Sequence, residues 1–130
     1  MPDSSEDPAE VTVAELTSAQ RECIVVAVDA VVRRDVDRVR ELSYPPWRKH
    51  AEVFWTWADE YGDLGPLDLI MPPGDMEDWD VYILALTNCL AVHVEMWADG
   101  VGQTDLTLEM ELYTSDDGRA GAELRDMHVM

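Results

Sequence analysis

The stretch LAVHVEMWADGVGQTDLTLEMEL at residues 90–112 decides the fold of this chain. Apolar and polar residues alternate on either side of a glycine-containing connection at residues 99–105, as they do in two half-buried antiparallel strands. An apolar run at residues 79–86 precedes this stretch, and the turn sequence SDDG at residues 115–118 leads into a last run at residues 120–129. The C-terminal half is therefore predicted to form an antiparallel sheet of about four strands.

Helical signals fill the N-terminal half. Residues 12–15 and 17–20 both have the spacing of a capping box, in which side chains bond the free N–H groups at a helix start. The run CIVVAVDAVV at residues 23–32 is apolar nearly all round, interrupted only by Asp29. It predicts a central helix that the rest of the domain encloses on most sides. A second, shorter helix is predicted for residues 36–42.

Asp35 is positioned to cap that second helix, and a third helix is predicted to begin near Pro46 and to end at Gly62. Residues 62–80 contain turn residues throughout and predict an irregular crossing segment. The inward-facing stripe of the predicted third helix consists of Ala51, Phe54, Trp55, Ala58 and Tyr61.

Helices followed by a meander of strands indicate an α+β class, with N-terminal helices packed on a C-terminal curved antiparallel sheet.

The predicted domain organisation is simple. Residues 1–11 are polar and acidic and are predicted to form a disordered leader. Residues 12–130 are predicted to form one domain, because 130 residues fit a single core and 47% of them are hydrophobic. No apolar run is long enough to cross a bilayer, and the N-terminus lacks the pattern of a secretory signal, so we expect a cytoplasmic protein with reduced cysteines.

The charge of the chain limits its partners. There are 28 Asp and Glu residues against 9 Lys and Arg, a formal net charge of -19. Nucleic-acid binding needs a basic patch, and the arginines between residues 33 and 40 are interleaved with acids, so no nucleic acid is expected. The acidity has three interpretations, namely a solvated surface, adaptation to high salt, or a docking face for a basic protein. The chain is expected to be a monomer or a homodimer.

Two resemblances accompany these patterns. The order of elements resembles the cone-shaped α+β fold of nuclear transport factor and of polyketide-cyclase-like and dehydratase-like proteins. Residues 96–112 and 124–130 resemble an uncharacterised bacterial domain family with a Trp-containing strand, a Gly-containing turn, an S/T-D-L-T-L strand and a D-x-H-V ending; the resemblance implies no activity. Thr104 and Met127 stand where that family is expected to have Ser and Ile. The matching residues are Trp97, Gly102, Thr104, Asp105, Leu106, Thr107, Leu108, Asp126, His128 and Val129.

Catalytic candidates lie on the predicted strands. His93 shares a strand face with Glu95, and in a cone-shaped fold such a face can line a pocket where the two act as acid and base. Asp126 and His128 are two apart on the last strand, so they are expected to share a face and to pair. In both cases the alternative is a solvent-facing or hydrogen-bonded structural side chain. The three histidines, which include His50, show no ligand spacing, so neither a metal site nor a cofactor is predicted.

A protein-binding loop is predicted at residues 75–80. Its sequence embeds Met76 and Trp79 among four carboxylates, which would present apolar anchors to a basic partner inside a negative field. The alternative is that Trp79 begins a strand in the core and the acids are solvated. The candidate binding residues are Asp75, Glu77, Asp78, Trp79 and Asp80.

Three functions remain open from the sequence. The favoured one is a non-enzymatic protein-binding domain, such as an immunity-type or regulatory partner of a basic protein. The second is a small-molecule-binding or proton-transfer enzyme of the cyclase, isomerase or dehydratase kind. The third is a homodimeric structural domain. Whether the chain is an enzyme stays undecided, with a non-enzymatic role favoured because no nucleophile or phosphate-binding motif is present.

Overall fold

The computed structural model describes residues 9–129, apart from the side chain of Trp47. Residues 1–8 of the predicted leader lie outside the described residues. Its last three residues correct that prediction, because Ala9–Val11 form strand β1, which pairs antiparallel with residues 83–85. A strand of three residues is too short to show a period, and its partner is distant in the chain, so local pattern gives no sign of it.

Helix α1 spans Ser18–Val32 and starts at the second of the two predicted capping boxes. The Gln20 N–H donates to Thr17 Oγ1 at 3.1 Å, and the Thr17 N–H donates to Gln20 Oε1 at 2.9 Å. The first box begins a 3-10 turn at Val13–Glu15 instead. Val25 is 38% exposed, so α1 is buried along one broad face and is less enclosed than the sequence predicted.

Helix α2 spans Val36–Leu42, and Asp35 caps it as predicted, since its Oδ1 accepts from the Arg38 N–H at 3.2 Å. None of the helices formed within residues 9–129 is long and apolar enough to cross a membrane.

The predicted third helix is broken into two pieces. A 3-10 helix spans Pro45–Val53, with a non-helical backbone at His50, and a single α-helical turn, α3, follows at Thr56–Asp59. The inward stripe is nevertheless largely retained, because Ala51, Trp55 and Ala58 are buried. Trp55 Nε1 donates to the carbonyl oxygen of Val31 at 2.8 Å, which ties this segment to the end of α1.

The strands after β1 are β2 at Leu69–Ile70, β3 at Val81–Ala85, β4 at Leu90–Ala98, β5 at Gly102–Thr114 and β6 at Ala120–Val129. Within residues 9–129 these six strands form one sheet in the order β1-β3-β4-β5-β6, and β2 pairs with β4. The pairings between these strands are antiparallel, and Ser43 and Leu124 form an isolated parallel bridge. The predicted α+β class is therefore confirmed, and the four strands predicted from the sequence correspond to β3 to β6.

One face of the sheet is buried under the helices, with α1 packed across β5 and β6. Ile24, Val28 and Val31 of α1 are completely buried. Full burial of one such side chain contributes about 1.5–3 kcal/mol, so this inner face supplies much of the stability of the fold. The sheet residues that meet the helices are Val92, Val94, Met96, Leu106, Leu108, Met110, Leu112, Leu124 and Met127.

Two tryptophans test this packing. Trp55→Phe is expected to lower the free energy of unfolding by about 1–3 kcal/mol, because it removes the buried hydrogen bond to Val31 and leaves a cavity beside α1. Trp57 is 50% exposed, so Trp57→Phe is expected to change the same quantity by less than about 0.5 kcal/mol. Chemical denaturation of the two variants measures both effects. Equal losses would contradict the orientation described for this segment.

Candidate functional site

The outer face of the sheet, opposite the helices, has a polar row that crosses four strands. Because alternate residues of each strand face the core, the residues between them converge on this outer face. The row consists of Tyr82, His93, Glu109 and Asp126, one from each of β3 to β6. The adjacent row consists of Glu95, Thr107 and His128.

Glu109 is at the centre of this outer face. Its Oε1 lies 3.2 Å from His93 Nε2, and its Oε2 lies 2.8 Å from His128 Nε2. The three side chains are between 23% and 30% exposed, so solvent reaches them from one side only. Asp126 adds a second carboxylate, since one oxygen or nitrogen from each of Glu109, Asp126 and His128 lies within 4.8 Å of the other two. We call Glu109, His93, His128 and Asp126 the His–carboxylate cluster.

A β-bulge brings Asp126 and His128 to this face. The register between β5 and β6 shifts immediately after Glu109. Leu124 and Met127 are both buried although they are three residues apart, which places one extra residue between two inward-facing positions. With strict alternation after Leu124, Asp126 and His128 would point into the core.

The sequence candidates are thus brought together by a residue that sequence reasoning missed. His93 and Glu95 lie on one face as expected, but His93 contacts Glu109, while Glu95 Oε1 accepts from Thr107 Oγ1 at 3.4 Å. Asp126 and His128 also share a face, and Glu109 is the contact of His128. The alternation of β5 indicated that Glu109 faces outward, but only the register of three strands places it between the histidines.

Glu95 and His128, which belong to the same row of this face, have shifted pKa values. Desolvation, reinforced by the negative charges of Asp80 and Asp105, raises the pKa of Glu95. Burial by itself would lower the pKa of His128, but the hydrogen bond to Glu109 and the charge of that carboxylate outweigh it, and the net pKa is raised. The face can therefore hold protons as well as negative charge.

The predicted binding loop presents its acids but not its anchors. Met76 is 9% exposed, and the ring of Trp79 packs against the core. Trp79 Nε1 is buried and has no acceptor among residues 9–129. The loop therefore offers negative charge without an exposed aromatic side chain. The Asp75 N–H donates to Asp78 Oδ2, and Glu77 forms a salt bridge with Arg21. Asp80 Oδ2 accepts from Gln103 Nε2.

A groove that sequence reasoning missed runs beside β6. Residues of the 50–64 segment form one wall, and residues 124–129 contribute to the other. The groove consists of two open depressions, of about 320 Å³ and 600 Å³, that share Trp57 as a lining residue. We call this feature the β6 groove. The available sequence signal was that Trp57, a large aromatic residue, lies outside the inward stripe of the predicted third helix.

A proton titration tests the geometry of the cluster. Because the pKa of His128 is raised above its ordinary value of 6.5, its protonated form stabilises the fold at low pH, and this contribution is lost as the pH rises through the folded-state pKa. Glu109→Gln is expected to lower the pKa of His128 in an NMR titration and to weaken the loss of stability in that pH range. Glu111→Gln, two residues along the same strand face, serves as the control. An unchanged His128 pKa in Glu109→Gln would contradict the contact.

Comparison with known proteins identifies the family to which the chain belongs. The family model described as "Domain of unknown function (DUF7668)" matches residues 28–130. That range contains strands β2 to β6, the whole His–carboxylate cluster and the β6 groove. No curated protein and no solved structure matches the chain, and the likeness to the cone-shaped fold stays a prediction. Membership of an uncharacterised domain family, which the resemblance of residues 96–112 and 124–130 implied, is confirmed: the chain belongs to the DUF7668 family.

Proposed function

We propose that this chain is a non-enzymatic binding domain that docks a basic protein, in the manner of an immunity-type or regulatory partner. The observation that carries the proposal is the β6 groove, in which an exposed tryptophan lines both depressions, with carboxylates around them. Single exposed apolar side chains are ordinary on protein surfaces, whereas several along one groove are typical of an interaction site. The exposed apolar residues here are Val53 at 60%, Trp57 at 50% and Leu64 at 57%.

Trp57 is the anchor in this proposal. Its neighbour in sequence, Trp55, is 2% exposed and belongs to the core, so the two rings have different roles. Tryptophan is enriched among the few side chains that dominate the binding energy of protein interfaces, because it buries a large apolar area with little loss of conformational freedom. A partner that covers Trp57 would remove much of this exposed apolar surface from water.

The charge around the groove favours a cationic partner. Arg125 also lines it, but its guanidinium is engaged by Glu111 and Glu123 at 3.6 and 3.0 Å. Four carboxylate residues line the groove, and within residues 9–129 none of them has a salt-bridge partner. These residues are Glu60, Asp63, Asp105 and Asp126.

The remaining surface supports the same choice of partner. A net charge of -19 creates a negative field that would accelerate the approach of a basic protein and repel acidic ones. The exposed acids of the 75–80 loop add to that field, although the loop lacks an exposed anchor of its own. The proposal includes a cytoplasmic location, in keeping with the unpaired state of Cys23 and Cys89.

Two alternatives make different predictions. Proton transfer on a small molecule is favoured by one observation, the contact of two imidazoles with the Glu109 carboxylate. Glu109→Gln would abolish such an activity and leave docking in the β6 groove intact. A homodimeric structural domain is the third function, and a monomer at all concentrations in sedimentation would eliminate it.

Binding of a defined cationic probe tests the docking proposal. The probe is a Lys/Arg-rich peptide with one central Leu, compared with a matched peptide in which Gln replaces every Lys and Arg. We expect the cationic peptide to shift the amide NMR signals of residues 53–64 and 124–129. Trp57→Ala is expected to weaken binding at least about tenfold, as removal of an interface anchor does. Higher salt is expected to weaken it further, because the attraction is screened.

Two control variants separate the groove from the general charge. Leu86→Ala removes an apolar side chain that is 42% exposed but lies in the turn between β3 and β4, and Asp116→Asn removes a carboxylate in the hairpin turn at the other end of β6. Both are expected to bind like the original chain. Equal binding by Trp57→Ala and the original chain, or shifts spread over all acidic surfaces, would refute the proposal.

A further inference from the structure

We propose that the His–carboxylate cluster binds a divalent first-row transition metal such as Zn²⁺. Glu109, Asp126 and His128 are its protein ligands, and His93 contacts the other carboxylate oxygen of Glu109. The proposal does not rest on docking in the β6 groove, although Asp126 belongs to both sites. It departs from the sequence analysis, which predicted no metal site because the histidines have no ligand spacing along the chain. The sheet supplies that spacing across strands instead.

The distances between the donor atoms fit such an ion. Bonds of about 2.0–2.1 Å in a tetrahedral zinc site place the ligand atoms about 3.3 Å from one another. His128 Nε2 is 2.8 Å from Glu109 Oε2, and His93 Nε2 is 3.2 Å from Glu109 Oε1. The donor atoms of Glu109, Asp126 and His128 all lie within 4.8 Å of one another. Rotation of these side chains about their χ angles would bring the donor atoms to the spacing of a metal site.

The backbone holds these ligands at fixed positions. His93, Glu109 and Asp126 are directly opposite one another on the paired strands β4, β5 and β6. His128 is one position further along the same outer face, in register with Thr107. Sites built on strands are held more accurately than sites on loops, and the β-bulge that turns Asp126 outward is a feature found at functional positions.

The chemistry of the ligands selects the class of metal. Imidazole nitrogen favours zinc and its neighbours in the first transition row, whereas calcium and magnesium prefer sites made of oxygen alone. Two carboxylates make the cluster negative, and within residues 9–129 no Arg or Lys forms a salt bridge with Glu109 or Asp126. Glu95, which pairs with Thr107 in the adjacent row, adds a further carboxyl group to the same outer face. A divalent cation would compensate this charge.

A metal bound in the His–carboxylate cluster would have two effects. It would link β5 to β6, so binding is expected to raise the melting temperature of the domain. Asp126 also lines the β6 groove, so a metal with an open coordination position would lie where a docked partner could supply a donor atom.

Titration of the full chain with ZnCl₂ alone, followed by isothermal calorimetry, tests the proposal. We expect one Zn²⁺ per chain and a higher melting temperature, both persisting in a large excess of Mg²⁺. Glu109→Gln and His128→Gln are each expected to weaken Zn²⁺ binding by about 100-fold or more, since each removes a direct ligand. Glu111→Gln is the matched control, because it removes the same charge from the same strand face, and it is expected to bind like the original chain.

NMR of the histidine side chains keeps the test independent of how the variants fold. In the original chain, Zn²⁺ is expected to shift the imidazole signals of His128 and His93 and to leave that of His50 unchanged. The proposal is overturned by weak binding of many ions that Mg²⁺ displaces, which is what an acidic surface alone would give. It is equally overturned if the His128 signal does not respond, or if Zn²⁺ affinity is the same in Glu109→Gln and Glu111→Gln.

Discussion

The antiparallel pairing of β4 with β5 is the interaction on which the rest of the structure depends. Its register sends Val94 and Leu108 to one side, where α1 and the rest of the core cover them, and His93 and Glu109 to the other. The stability of the domain and the chemistry of its outer face are therefore set by one alignment. A shift of this pairing by a single residue would exchange the two faces, which burial of the apolar set strongly opposes.

Elements that depend on local chemistry were predictable from the sequence. The box at Thr17, the cap at Asp35 and the turn at residues 115–118 use side chains only a few residues apart, and each is present in the structure. Strands β4 and β5 were visible through their period of two, β3 as an apolar run and β6 as the run that follows the turn. The short strands β1 and β2 were not, because two or three residues show no period and their pairing depends on distant segments. The third helix was predicted as continuous, but its backbone leaves helical geometry at His50, inside a 3-10 segment that begins at Pro45.

The sites show the same division between local and distant information. Each of His93, Asp126 and His128 could be identified from the sequence as a polar residue on a strand. The sequence pattern alone, however, does not indicate which strands are neighbours in the sheet. Glu109, which contacts both histidines, becomes significant only once β5 is placed between β4 and β6. Trp57 was equally visible as a residue, yet its exposure depends on the broken third helix and on the position of β6. In contrast, the acidic loop at residues 75–80 was conspicuous in sequence, and its tryptophan packs against the core.

The bulge in β6 gives this strand one position where its length can change by a single residue. Met127 and Val129 pack toward the core while His128 faces outward, and one extra residue stands between the inward-facing Leu124 and Met127. Losing that extra residue would restore strict alternation and keep both sets of side chains on their faces. Gaining or losing one residue elsewhere in the paired part of β6 would move the side chains beyond it to the opposite face. Within the family, changes of β6 by an odd number of residues should therefore be found at the bulge, and changes elsewhere in the strand should come in even numbers.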